Sequence, residues 1–149
     1  MVSIVCFNVC PMSIFIPTLC YQCQTWSLTT KHKRQLVTTE MRCLRKAIGV
    51  TIRHRIRNEV IRARVGVISI LQYIQNQQIQ WFGHLERMPC DLLVYKSYMK
   101  RGEAERRARG RPRIRWIDNI KETLHEHQMT LSEAARKART RTLYLPRHP

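Results

Sequence analysis

The chain has 149 residues, 44% of them hydrophobic, which suits one domain with a modest core. Twenty-seven Lys and Arg against ten Asp and Glu give a formal net charge of +17 at pH 7, and no charged side chain occurs in residues 1–30, so the whole excess falls on residues 31–149. Such a balance points to a polyanion as partner, because self-repulsion opposes compaction until anions relieve it. Metal-dependent phosphoryl transfer needs clustered carboxylates to hold its paired ions, and with ten acids in the chain these are scarce.

Residues 1–15 form an apolar leader and, with the next fifteen, hold Cys6, Cys10, Cys20 and Cys23. A secretory signal would place a basic segment before an unbroken apolar run, whereas no Lys or Arg precedes Lys31, and Pro11 and Pro17 interrupt the run. A membrane span is a poor fit to residues 1–21 for the same reason. The spacing Cys20-x2-Cys23 suits a zinc-ligand pair, but no second pair follows it, so reduced or buried thiols in a nuclear or cytoplasmic protein are the expectation.

From Thr29 or Thr30 a helix is predicted to about Ile48, with Val37, Met41, Leu44 and Ile48 on one face and Gly49 as its stop. The opposite face carries Lys33, Arg34, Arg42, Arg45 and Lys46. These cations serve either as a solvated face or as contacts to a nucleic-acid backbone. A second helix is predicted from about Ile56 to Val65, burying Ile56, Val60 and Ile61 before Gly66. Residues 42–64 hold eight Lys/Arg and one Glu, a basic patch that includes Arg53, Arg55 and Arg57. A third helix is predicted from Ser69 to about Arg87, with Gln72 at the capping-box position, Leu71, Ile74, Gln78, Trp81, Leu85 and Met88 as its stripe, and Pro89 beyond its end. Trp81, Phe82, Leu85 and Met88 read as core in preference to a stacking platform for bases.

Residues 92–99 read as a short extended segment or loose helix, followed by a basic arm over 100–115. Its centre runs Arg106, Arg107, Arg109, Arg111, Arg113 and Arg115, six arginines in eleven residues with no carboxylate among them. Guanidinium groups at that density repel one another in a packed interior, while each can lie bidentate on a phosphate. Gly110 and Pro112 break helix formation through the run. Arg109-Gly110-Arg111-Pro112 has the core of an AT-hook, which lies in the narrow minor groove of A·T tracts; the alternative is a solvated loop. A fourth helix is predicted over about 115–126, with Trp116, Ile117, Ile120 and Leu124 inward, and a fifth over about 131–142, started by Thr130 and Glu133. The resulting fold class is mainly α, with about five short amphipathic helices and a core that is complete only in part.

Among the carboxylates only Asp118, Glu122 and Glu126 share a helical face, and ion pairs with Lys121 or Arg115 explain them. His84 has neither an orienting carboxylate nor a second ligand nearby in sequence. There is no phosphate-binding glycine loop, nucleophile elbow or zinc-protease motif. No catalytic residue, metal, cofactor or small-molecule substrate is expected.

Six segments occur in order: Tyr21 to Trp26 (YQCQTW), Glu40-Met41-Arg42-Cys43-Leu44-Arg45, Arg57-Asn58-Glu59, Trp81-Phe82-Gly83-His84, Arg87-Met88-Pro89, and Arg109-Gly110-Arg111-Pro112 with Trp116-Ile117-Asp118. Together, over roughly Ile16 to Leu143, the chain resembles the C-terminal end of the reverse transcriptase of non-LTR (LINE-type) retrotransposons. The resemblance implies the region after the polymerase palm, the end of the thumb and the basic tail. The metal-binding aspartate pair of the palm and the family's endonuclease have no counterpart here. It further implies contact with template RNA, the RNA–DNA hybrid or target DNA. Gln22 and Gln24 stand where the family commonly has glycine and an acid, and glutamines at 75, 77, 78 and 80 replace an arginine-rich stretch, a drift that suits a decayed copy.

The expected function is therefore that of a non-catalytic nucleic-acid-binding remnant, contacting RNA or DNA through Arg42, Arg45, Lys46, Arg53, Arg55, Arg57 and the arm arginines. A basic peptide with a secretory or membrane leader, and a fragment without function, are the alternatives; membrane partners are not expected.

Overall fold

A computed structural model describes residues 14–97, 110, 114–141 and 143. The fold is mainly helical, as the periodicity predicts, with no strand among the described residues. Its principal helices are α1 (Thr30–Ala47), α2 (Asn58–Val65), α3 (Ile70–Leu85), α4 (Trp116–Glu126) and α5 (Leu131–Arg139). Short helical stretches at 14–19 and 93–97 and 3-10 turns at Cys23–Thr25 and Ile52–His54 accompany them. The chain groups into two compact units: residues up to Cys23 with Leu28–Ile74, and Gln24–Ser27 with Gln75 onward. The division falls within α3.

In the first unit α1 begins at Thr29, whose hydroxyl accepts the His32 N–H at 3.3 Å while His32 Nδ1 accepts the Thr29 N–H. Histidine thus fills the reciprocal role that Glu or Gln plays in a capping box. The helix stops at Gly49, whose φ of +69° few side-chain-bearing residues adopt. Met41 and Leu44 on α1 close over Ile61 on α2, with Val37, Ile48, Ile56 and Val65 around them. One expectation fails on α2, where Val60 is 42% exposed. The helix starts at Asn58 and not Ile56, so Ile61 and Val65, four residues apart, form the inward row and Val60 turns outward. Ile56 still packs, from the extended segment ahead of the helix.

On α3 Ile74, Gln78 and Leu85 are buried as predicted, and the row departs from the prediction at its other positions. Ile70, Ile74, Gln78 and Phe82 advance by fours and are buried together with Ile79 and Leu85, while Leu71, Trp81 and Met88 are half-exposed. Predicted and observed stripes differ because Trp81 and Phe82 are both large enough to anchor a face, and packing selects Phe82. The sequence offers Ser69 and Gln72 as a capping pair. The structure brings a carboxylate from α1 to the same turn, with Glu40 Oε1 accepting the Ile70 N–H at 3.0 Å.

The core of the second unit is Ile79, Phe82, Ile120, Leu124 and Ala134, flanked by Trp116, Ile117, Met129, Leu131, Ala135 and Leu143. α5 starts on the predicted capping box: Thr130 Oγ1 accepts the Glu133 N–H at 3.3 Å, and Glu133 Oε2 accepts the Thr130 N–H at 3.0 Å. Hydrogen bonds from the Thr130 N–H and hydroxyl to its carboxylate hold the Glu133 carboxyl below its ordinary range. Ala134 and Ala138 are fully buried, and small side chains there bring the α5 backbone close to its neighbours. α5 ends at Arg139, where Arg87 Nη1 donates to the Ala138 carbonyl at 2.9 Å, placing a cation at a helix C-terminus.

Candidate nucleic-acid interface

The exposed cations of α1 form a row. Lys31, Arg34, Arg42 and Lys46, with Thr38 between Arg34 and Arg42, step by three or four residues along one side of the helix and are all exposed. At 1.5 Å per residue the row is about 22 Å long. The chain then turns through Thr51–Arg57, which adds three more exposed arginines, Arg53, Arg55 and Arg57. This turn is held by its own hydrogen bonds: the Thr51 N–H donates to His54 Nδ1 at 3.0 Å and the Arg55 N–H to the Ile52 carbonyl at 3.0 Å. Arg55 sits at φ +49° as the left-handed C-cap of the turn. Arg42, Lys46, Arg53, Arg55 and Arg57 have no ion-pair partner among the described residues.

Arg45 departs from this group. Its Nη2 donates to the Ile56 carbonyl at 3.1 Å and to Asn58 Oδ1 at 2.8 Å, so it ties α1 to the start of α2 and is half-buried. The hydrophobic face of α1 lies beside it in sequence, and only the partner 13 residues away reveals its role. Arg115 is half-buried at the N-cap of α4, where its backbone N–H donates to Asp118 Oδ2 at 3.0 Å. Arg106, Arg107, Arg109, Arg111 and Arg113 lie outside the described residues.

Sequence reasoning passed over Glu40. It is 1% exposed and accepts Arg62 through both carboxylate oxygens, from Nε at 3.1 Å and Nη2 at 2.7 Å, in addition to the Ile70 N–H. One carboxylate therefore joins α1, α2 and the first turn of α3. The signal was present: Glu40 is the sole acid in residues 31–58 and falls between Val37 and Leu44 on the apolar face. Arg62 is neutralised by this pair.

The acidic face of α4 does not converge on a metal site. Asp118 caps its own helix, and Glu126 Oε2 accepts Gln75 Nε2 at 2.9 Å. No group of three or more His, Cys, Asp or Glu able to hold a metal ion occurs among the described residues. His84 is exposed, with its ring 5.2 Å from that of Trp81.

Cys20 and Cys23 are buried side by side. Burial, then the neighbouring Cys23 and the charge of Glu40, push the Cys20 thiol up to about 11; burial also raises Cys23. The thiolate is the reactive form, so at pH 8 Cys20 should react with iodoacetamide about 100-fold more slowly than a thiol of ordinary pKa. Peptide mass spectrometry of the native protein checks this, with exposed Cys90 as the internal reference. Because the folded-state pKa is raised, the associated stability is complete below about pH 9 and declines as pH rises through 11.

Two of the motif segments meet in the second unit. Trp116 Nε1 donates to the Gln24 carbonyl at 2.7 Å, and Gln78 Nε2, on buried Gln78, donates to the Trp26 carbonyl at 2.8 Å. The 24–27 segment is thereby held by side chains 92 and 52 residues away. No helix among the described residues is long and apolar enough to cross a membrane. No protein-family model, curated protein or solved structure matches the chain.

Proposed function

We propose that the chain is a non-catalytic nucleic-acid-binding remnant of the post-palm, C-terminal region of a non-LTR retrotransposon reverse transcriptase. The observation that carries the binding function is the row of exposed cations on α1, continued by Arg53, Arg55 and Arg57 and lacking carboxylate partners among the described residues. A globular surface rarely keeps so many like charges adjacent without an anion to neutralise them, and the phosphate backbone supplies one at regular intervals. The retrotransposon origin rests on the six ordered segments. The bond from Trp116 to the Gln24 carbonyl supports it by giving the first and last of those segments a shared place in one unit.

The partner is RNA or DNA read through its backbone, and the site of action is the nucleus or cytoplasm. Fluorescence anisotropy with duplex DNA and with an RNA–DNA hybrid of equal length, across a salt series, tests the reading. Affinity should fall on a log–log plot with a slope near −0.9 for each phosphate contacted on duplex DNA. Binding that ignores salt, or no binding at 50 mM salt, would overturn it.

A further inference from the structure

Beside the cationic row the first unit has a cleft of about 560 Å³, bordered by Val37, Met41, Val50, Ile52, Arg42 and Lys46 among others. That volume lies within the range of small-ligand and peptide sites, about 300–1,000 Å³. Its apolar wall comes from Val37 and Met41 on α1 and from Val50 and Ile52 after Gly49, with Thr38, Arg45, Thr51 and Asn58 also lining it and no aromatic ring. Arg42 and Lys46 edge it and no carboxylate lines it. Ile52 stands at its border 82% exposed, although the surrounding turn is fastened by the Thr51 and Arg55 hydrogen bonds. A large aliphatic side chain held out on an ordered turn, next to an apolar cleft with a cationic edge, matches an anchor site for another chain.

From this juxtaposition we infer that the cleft is a docking site for an acidic peptide segment, which seats aliphatic side chains against Val37, Met41, Val50 and Ile52 and sets carboxylates against Arg42 and Lys46. Charge complementarity selects the acidic character. The lining selects aliphatic side chains over nucleobases, since unpaired bases are held chiefly by stacking on aromatic rings and none is present. Binding of this kind is independent of the nucleic-acid reading, though the two share Arg42 and Lys46 and would compete for them.

The test is fluorescence anisotropy of the full chain with three labelled probes: a glutamate-rich peptide carrying two leucines one helical turn apart, the same peptide with serines in place of leucines, and a single-stranded oligonucleotide. The leucine peptide should bind at least about tenfold more tightly than the serine peptide. Ile52→Ser, which removes an exposed side chain, should weaken the leucine peptide about fivefold or more and leave the oligonucleotide unchanged. Thr38→Trp, at an exposed position on the cleft border, should block the peptide by filling the site. Circular dichroism confirms that both variants keep their helices. Equal binding of the leucine and serine peptides, or full binding of the leucine peptide by both variants, would overturn the proposal. Loss of oligonucleotide binding alongside the peptide in Ile52→Ser would reassign the cleft to nucleic acid and also overturn it. A failed oligonucleotide titration with intact peptide binding would instead count only against the nucleic-acid function.

Discussion

Glu40→Ala should unfold the first unit at markedly lower urea, with a loss of about 3–5 kcal/mol, the usual cost of stripping one partner from a buried ion pair. The carboxylate is 1% exposed and accepts three hydrogen bonds, two from Arg62 and one from the Ile70 N–H. Removing it leaves a guanidinium with 18% exposure facing a cavity and an amide with no acceptor in a buried turn. A domain of this size has a total stability of about 5–15 kcal/mol, so the variant sits near the edge of folding. Glu40→Leu combined with Arg62→Leu should recover much of the loss, because the pair's mutual desolvation disappears with it; the Ile70 amide remains unpaired, at about 1–3 kcal/mol. Urea denaturation followed by circular dichroism measures all three proteins. A shift below about 1 kcal/mol for Glu40→Ala would show that the three-way junction does not hold the unit together.

Replacing Arg42, Lys46, Arg53, Arg55 and Arg57 together by glutamine should reduce nucleic-acid affinity by up to about four orders of magnitude near 0.15 M salt and flatten the salt slope by up to about 4.5. The estimate takes one phosphate per cation and a counterion-release slope of about 0.9 for each. All five side chains are exposed and make no ion pair among the described residues, so folding should be preserved. Arg45→Ala is the informative contrast. Its guanidinium bridges to the Ile56 carbonyl and Asn58, so its loss should lower the unfolding free energy by about 1–3 kcal/mol and leave the salt slope as it was. Arg109, Arg111 and Arg113 changed to alanine should weaken binding further, and a preference for A·T-rich duplex that vanishes with them would assign the arm to the minor groove. An unchanged slope in the fivefold variant would place the contacts elsewhere on the chain.

The helices were legible because their determinants are local. Thr130 and Glu133 bond to each other across three residues, Gly49 and Gly66 supply positive φ at helix ends, and Val37, Met41 and Leu44 recur at helical spacing. The candidate site was legible in part for the same reason, since the outward direction of Arg42 and Lys46 follows from the inward direction of Met41 and Leu44. Arg45 lies at the boundary between the two faces, where spacing does not show what it bonds. Its partners are at 56 and 58.

Net charge, the mainly helical fold and the outward placing of Arg42 and Lys46 are properties that the chain carries residue by residue or within a turn, and reading the sequence suffices for them. Tertiary structure decided which of two adjacent large side chains on α3 enters the core, that Val60 faces outward, and that Arg45 serves the fold. It also made Glu40 a junction of three helices, with partners 22 and 30 residues away. The physical reason is distance along the chain: caps and helical faces are selected by neighbours within four residues, whereas a buried carboxylate is defined by donors that only folding brings to it.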